Sequence, residues 1–256
     1  MNYLWHNIQT ARRRYRWPIK WGILILVVLF VLYPRPTLLI RHIGHLRNLH
    51  ALPDPQEPSL QPIKEQFDAY AVERGAEDGT APLDAVEQFV YELIPYAWDW
   101  EVWGVADYIP TVREVIETGR EDCDGRAVLA AALLRSRGIE AYLVGGNGHI
   151  WVATEFGETM GPLGEASLTA DDDGLCVDIL GFFNIRAVAF GIAVFPWTRE
   201  LIILFAIWGL LLPHHFRWSQ ALLALYLLCS GLMTIRLAGA DIYAQHMNGI
   251  FWAGGN

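Results

Sequence analysis

Cys123 and His149 are the two residues in this chain whose types and surroundings point to covalent chemistry. They lie within the run GREDCDGRAVLAAALLRSRGIEAYLVGGNGHIW, residues 119–151. It reads as an acidic turn, a helix that begins at the cysteine, a strand after Gly138, a glycine-rich turn and a second strand opened by the histidine. A helix amino terminus carries partial positive charge on unpaired N–H groups, which favours thiolate over thiol. A cysteine that starts a helix can meet a histidine that starts a neighbouring strand, and the pair is then the nucleophile and general base of thiol acyl transfer. The plainer alternative makes Cys123 a small buried residue and His149 a hydrogen-bonded structural one.

The elements that must position the pair are legible. Ala127, Val128, Ala131, Leu133 and Leu134 form an apolar stripe at helical spacing, with Arg135 and Arg137 near the helix end and Gly138 as its stop. Residues 145–148 can bend sharply before the histidine strand, and 150–156 alternate as a strand does. Upstream, 63–74 and 83–93 read as amphipathic helices, and 111–118 as a short helix that delivers the chain to Gly119.

From Tyr96 to Trp151 the sequence resembles the transglutaminase-like superfamily, with its papain-type thiol site, and is especially similar to the bacterial transglutaminase-like cysteine peptidases. The matching residues are Tyr96 and Asp99, Trp103-Gly104-Val105, Asp107-Tyr108, Pro110 with Glu114, Gly119, Asp122-Cys123-Asp124, Leu134-Arg135 with Gly138-Ile139, and His149. The resemblance implies an α+β papain/transglutaminase-like core, a Cys-bearing helix packed on an antiparallel sheet that bears the His. It implies Cys123 as nucleophile and His149 as base. It also implies an Asp, often just before a Pro, that orients the imidazole. Here that place reads Met160-Gly161-Pro162, so Asp178 is the candidate third catalytic residue, with Glu158 as the weaker alternative. An orienting acid raises activity greatly without being indispensable.

Hydrophobic residues make up 53% of the chain and concentrate near both ends, which argues for a membrane protein with a polar middle. Residues 1–50 comprise a basic lead, a span of about 17 apolar residues ending at Pro34-Arg35-Pro36, and a juxtamembrane segment. No small-residue cleavage site follows, so an uncleaved anchor is expected. Residues 51–180 form the transglutaminase-like domain and 181–256 a carboxyl-terminal membrane region, a helical hairpin with its turn near residues 213–217, for about three transmembrane helices in all. The basic lead favours a cytoplasmic amino terminus, placing the catalytic domain on the extracytoplasmic side of a bacterial cytoplasmic membrane.

Residues 51–183 hold 26 acidic against 7 basic side chains, which argues against nucleic acid as a partner. His42, His45 and His50 lack ligand spacing and read as a juxtamembrane helix face. Asp171-Asp172-Asp173 has adjacent acids, unlike the alternating ligands of a calcium loop. No metal and no cofactor is therefore expected, and the predicted partners are the lipid bilayer and a peptide or protein substrate near it. The expected activity is thiol-dependent peptide or amide hydrolysis. Protein-glutamine cross-linking is the alternative within enzymes, and a catalytically inactive membrane scaffold the alternative outside them.

Overall fold

The computed structural model describes residues 13–76, 81–146, 148–161, 167–171, 174–177, 185–211 and 217–253. Helix α1 (Arg13–Leu32) is followed by α2 (Pro36–Arg47), whose first turn is opened by Pro36, where a missing N–H costs nothing. After two short 3-10 turns come α3 (Gln61–Glu73), α4 (Ala81–Leu93), the single turn α5 (Asp99–Val102) and α6 (Val112–Thr118). Then follow α7 (Cys123–Ser136), five strands, and the helices α8 (Ile185–Val194), α9 (Trp197–Leu211) and α10 (Trp218–Ala253).

Helix α7 is the axis of the fold. The sequence suggests an apolar stripe, but Ala127 through Leu134 are all fully buried, because α7 is enclosed on every side. Strands β1 (Ala141–Gly146) and β2 (His149–Thr154) cover one face, and α3, α4 and α6 cover the others. The four alanines let these neighbours approach closely.

The sheet is antiparallel throughout, in the order β3-β2-β1-β4-β5, with β3 at Gly157–Thr159, β4 at Leu168–Asp171 and β5 at Gly174–Val177. Register pairs Gly146 with His149, so the histidine opens its strand directly across the tight β1–β2 turn. This is the α+β arrangement that the sequence implies: the Cys-bearing helix lies on an antiparallel sheet that carries the His.

Polar side chains tie the outer loops to this core. Arg135 donates to the carbonyls of Ala141, His50 and Pro53. His42 and His45 bind the N–H and C=O of Ile109, so this face of α2 fastens the loop before α6. Glu114 closes a capping box with Thr111, accepts from the Tyr108 hydroxyl and pairs with Arg41.

Two helical stretches, Arg14–Leu32 and Trp218–Asp241, are long and apolar enough to cross a membrane. A third span exists if α8 and α9 count as one, but they meet at 110° around Pro196. Ten residues of α8 extend only about 15 Å, half a hydrocarbon core. The break is clasped by Arg236 of α10, which donates to the carbonyls of Ile192, Ala193 and Phe195 and to the Glu200 carboxylate. Helix α8 packs tightly on α10 because Gly239 has no side chain; a Cβ there would lie 2.0 Å from the Ala189 carbonyl oxygen.

Candidate active site

Asp122 caps α7 by accepting the Asp124 N–H, which leaves Cys123 as the first helical residue. The cysteine is free and half-buried. Gly125 is required two residues on, since a Cβ would lie 2.7 Å from the Glu121 side chain that crosses the first turn. The Ile150 N–H points at the Cys123 sulfur, so the thiol lies beside the first residues of β2. Sulfur and imidazole open onto one cavity.

His149 is buried, stacks on Trp151 with ring centroids 6.0 Å apart, and places Nε2 3.0 Å from the Met160 carbonyl oxygen. With Nε2 donating to that carbonyl, Nδ1 is the basic nitrogen of the neutral ring. The peptide at Met160 is itself held: Glu87 of α4 accepts from the Met160 N–H at 2.8 Å and from the Thr159 hydroxyl at 2.9 Å. Met160 adopts φ 69°, an uncommon conformation for a residue with a Cβ, and this turns its carbonyl toward the ring.

The structure therefore places Cys123 and His149 on the wall of one cavity and puts a main-chain carbonyl on the His149 Nε2. Asp178, the expected third residue, lies outside the described residues. Glu158 is exposed on the edge strand opposite Ala153, four residues or about 13 Å along β2 from His149. Neither Met160 nor Glu87 could be singled out from sequence, because a carbonyl has no residue type and Glu87 reads as one more acid on an amphipathic helix.

The thiol's surroundings correct one expectation. Burial pushes the Cys123 thiol well above its ordinary pKa, and negative charge on Asp122, Asp99 and Asp107 adds to this. The helix terminus and the Ile150 N–H act in the opposite direction but do not prevail. At the same helix start, Asp99, Glu121, Asp122 and Asp124 bring one oxygen each within 4.8 Å of one another. Burial raises the pKa of all four, Glu121 to about 8, and nearby carboxylate charge adds to it, although the Asp124 hydrogen bonds oppose the rise at Asp122. Asp99 Oδ1 and Glu121 Oε2 are buried without a hydrogen-bond partner. The sequence reading foresaw no metal site, yet these oxygens are a hard donor set, the kind that holds a divalent cation or shares protons. Either neutralisation would relieve the thiol.

The three tryptophans of residues 98–103 split into two roles. Trp98 and Trp100 stack at 4.9 Å and line the cavity, whereas Trp103 donates its indole N–H to Glu121 and packs on Tyr108. The Trp98 N–H is taken by Glu101, and those of Asp124, Gly125 and Arg126 by Asp122 and Asp124, which leaves the Cys123 N–H as the candidate oxyanion donor in the first turn of α7. Arg126, buried between Tyr91 and Tyr96, donates to the Ile94 carbonyl and fixes the chain that leads into this segment.

No curated protein and no solved structure matches the chain. Its residues 68–159 match the family model of the transglutaminase-like superfamily. The matched segment runs from α3 to the end of β3 and contains Cys123, His149 and Glu87, so this part of the chain is a transglutaminase-like domain.

Proposed function

We propose that the protein is a membrane-anchored, thiol-dependent amide or peptide hydrolase of the kind represented by transglutaminase-like cysteine peptidases. The observation that carries this reading is one cavity shared by a helix-initial sulfur and an imidazole whose Nε2 is anchored on Met160. Nδ1 of His149 takes the thiol proton, the thiolate attacks the amide carbonyl, and the imidazolium returns the proton to the leaving amine. Water, activated by the same ring, then releases the acid. Asp178 is not needed for this cycle, because the Met160 carbonyl can orient the ring and fix its tautomer.

Full-length protein in detergent or vesicles, given a fluorogenic amide together with a primary amine, tests the reading. Mass analysis should show the free acid, and Cys123→Ala should abolish it. A new amide joined to the added amine would make the protein a cross-linking enzyme instead.

The elevated thiol pKa favours a second reading, a catalytically silent membrane scaffold. Iodoacetamide labelling separates the two. Near-neutral reactivity that is lost in His149→Ala supports the enzyme, whereas labelling that rises only above pH 9 in both proteins supports the scaffold.

A further inference from the structure

The cavity at Cys123 does not end at the transglutaminase-like domain. It has a volume of about 870 Å³ and continues from the sulfur past Trp98 and Phe190 to Ile203, Ile207, Leu228 and Leu232 of the carboxyl-terminal helices. Its chemistry changes along that path. The thiol end carries Asp99, Asp107, Asp122 and Asp124. The far end is hydrocarbon except for Glu200, whose charge is met by Arg236. A cleft meant for a water-soluble peptide has no use for an arm walled by membrane helices.

We propose that this arm seats the hydrocarbon chain of a fatty-acyl amide, with the chain's carbonyl at Cys123 and its amine portion toward the carboxylates. The inference rests on the thiol-hydrolase reading and names its substrate class. Continuity with the sulfur puts the reacting carbonyl at the polar end. Walls contributed by α9 and α10 place the chain where a bilayer lipid enters sideways. Acidic side chains at the mouth, Asp107 exposed among them, complement an amine that leaves as a cation. The volume lies within the range of small-molecule pockets and would hold only about two turns of an α-helix, which disfavours a transmembrane peptide as occupant.

The chemistry balances with water as the only co-reactant. The Cys123 thiolate adds to the amide carbonyl and the C–N bond breaks as His149 protonates the departing nitrogen. The chain remains in the arm as a thioester. Water, losing its proton to His149, then adds to the thioester carbonyl, the C–S bond breaks, and the sulfur recovers its proton as the fatty acid leaves.

The test uses full-length protein in mixed micelles with a homologous series of N-acyl amides of one fluorogenic amine, from acetyl to stearoyl. Burial of each methylene supports a rise in kcat/KM of up to about fourfold. At least a 100-fold gain from octanoyl to palmitoyl is expected, and an acyl-Cys123 thioester should be visible by intact mass after acid quench. Ile207→Trp, which fills the arm, should move the optimum to shorter chains; if that variant misfolds, Leu232→Phe serves the same purpose. Equal rates for acetyl and palmitoyl amides, or a preference for apolar peptides over every acyl amide, overturn the chain-binding assignment while leaving a thiol hydrolase. Absence of Cys123-dependent turnover on any amide or peptide overturns both.

Discussion

The two ends of helix α7 are built by opposite rules. From Ala127 to Leu134 every side chain is apolar and buried, and the helix exit is secured by the bonds of Arg135. The first turn, only one residue earlier, gathers three buried carboxylates and the half-buried Asp122 beside Cys123 and leaves two of their oxygens unpartnered. Each orphaned buried oxygen costs about 1–3 kcal/mol. The deep half of the helix is shaped for stability, and the front turn holds an electrostatic cost that only a ligand, protons or chemistry can relieve.

The contrast is broken most sharply at the front. Cys123→Ala should lower amide hydrolysis by at least about 1,000-fold while leaving the unfolding midpoint of the domain nearly unchanged. His149→Ala should match it in rate. A progress curve beside a thermal melt checks both, and a variant that keeps a tenth of the activity would remove the sulfur or the ring from the mechanism.

At the deep end the effect should fall on stability alone. Leu133→Ala, within the sealed half of α7, should cost about 2–5 kcal/mol in denaturant unfolding. The Cys123 labelling rate of the protein that remains folded should be unaltered.

The front turn also predicts a pH signature. Glu121 is held protonated by burial, with its pKa raised from 4.5 to about 8. For an acid whose folded pKa lies above its unfolded one, the stabilising contribution is complete below about 4.5. It is then lost as pH climbs through about 8. Without divalent cations, the domain should melt at progressively lower temperature across that window. Glu121→Gln, which keeps the shape and removes the charge, should flatten the curve; an unchanged slope would move its origin to the neighbouring aspartates.

The smallest expected effect belongs to Glu87. Glu87→Ala removes the acceptor that holds the Met160 peptide and should lower kcat about tenfold with little change in KM. It should also shift the acid limb of the pH–rate profile, because the ring loses its fixed partner. Glu87→Gln keeps an acceptor oxygen and should restore most of the rate. Equal loss in both variants would limit Glu87 to packing.

The same contrast shows what a sequence can reveal. Cys123, His149 and the helix between them were readable because residue type, capping and periodicity are local signals. The complete burial of α7 was not, since enclosure depends on helices that arrive from 60 residues upstream. The carboxylate cluster escaped notice because Asp99 is 22 residues from Glu121, and only the fold converts matched motif positions into one electrostatic unit. The Met160 carbonyl escaped for a different reason: it is a backbone group made available by a dihedral angle. At the other end of the chain, apolar runs show where helices long and apolar enough to cross a membrane lie, but not the 110° bend at Pro196, whose carbonyls are met by Arg236, 40 residues further on.

That clasp has a mechanical consequence. Ala187 of α8 packs against Gly148, next to the imidazole, and the far end of the same helix is gripped by the guanidinium of Arg236. Helix α10 is thus tied through α8 to the turn that carries His149, both by the Arg236 bonds and by the close packing at Gly239.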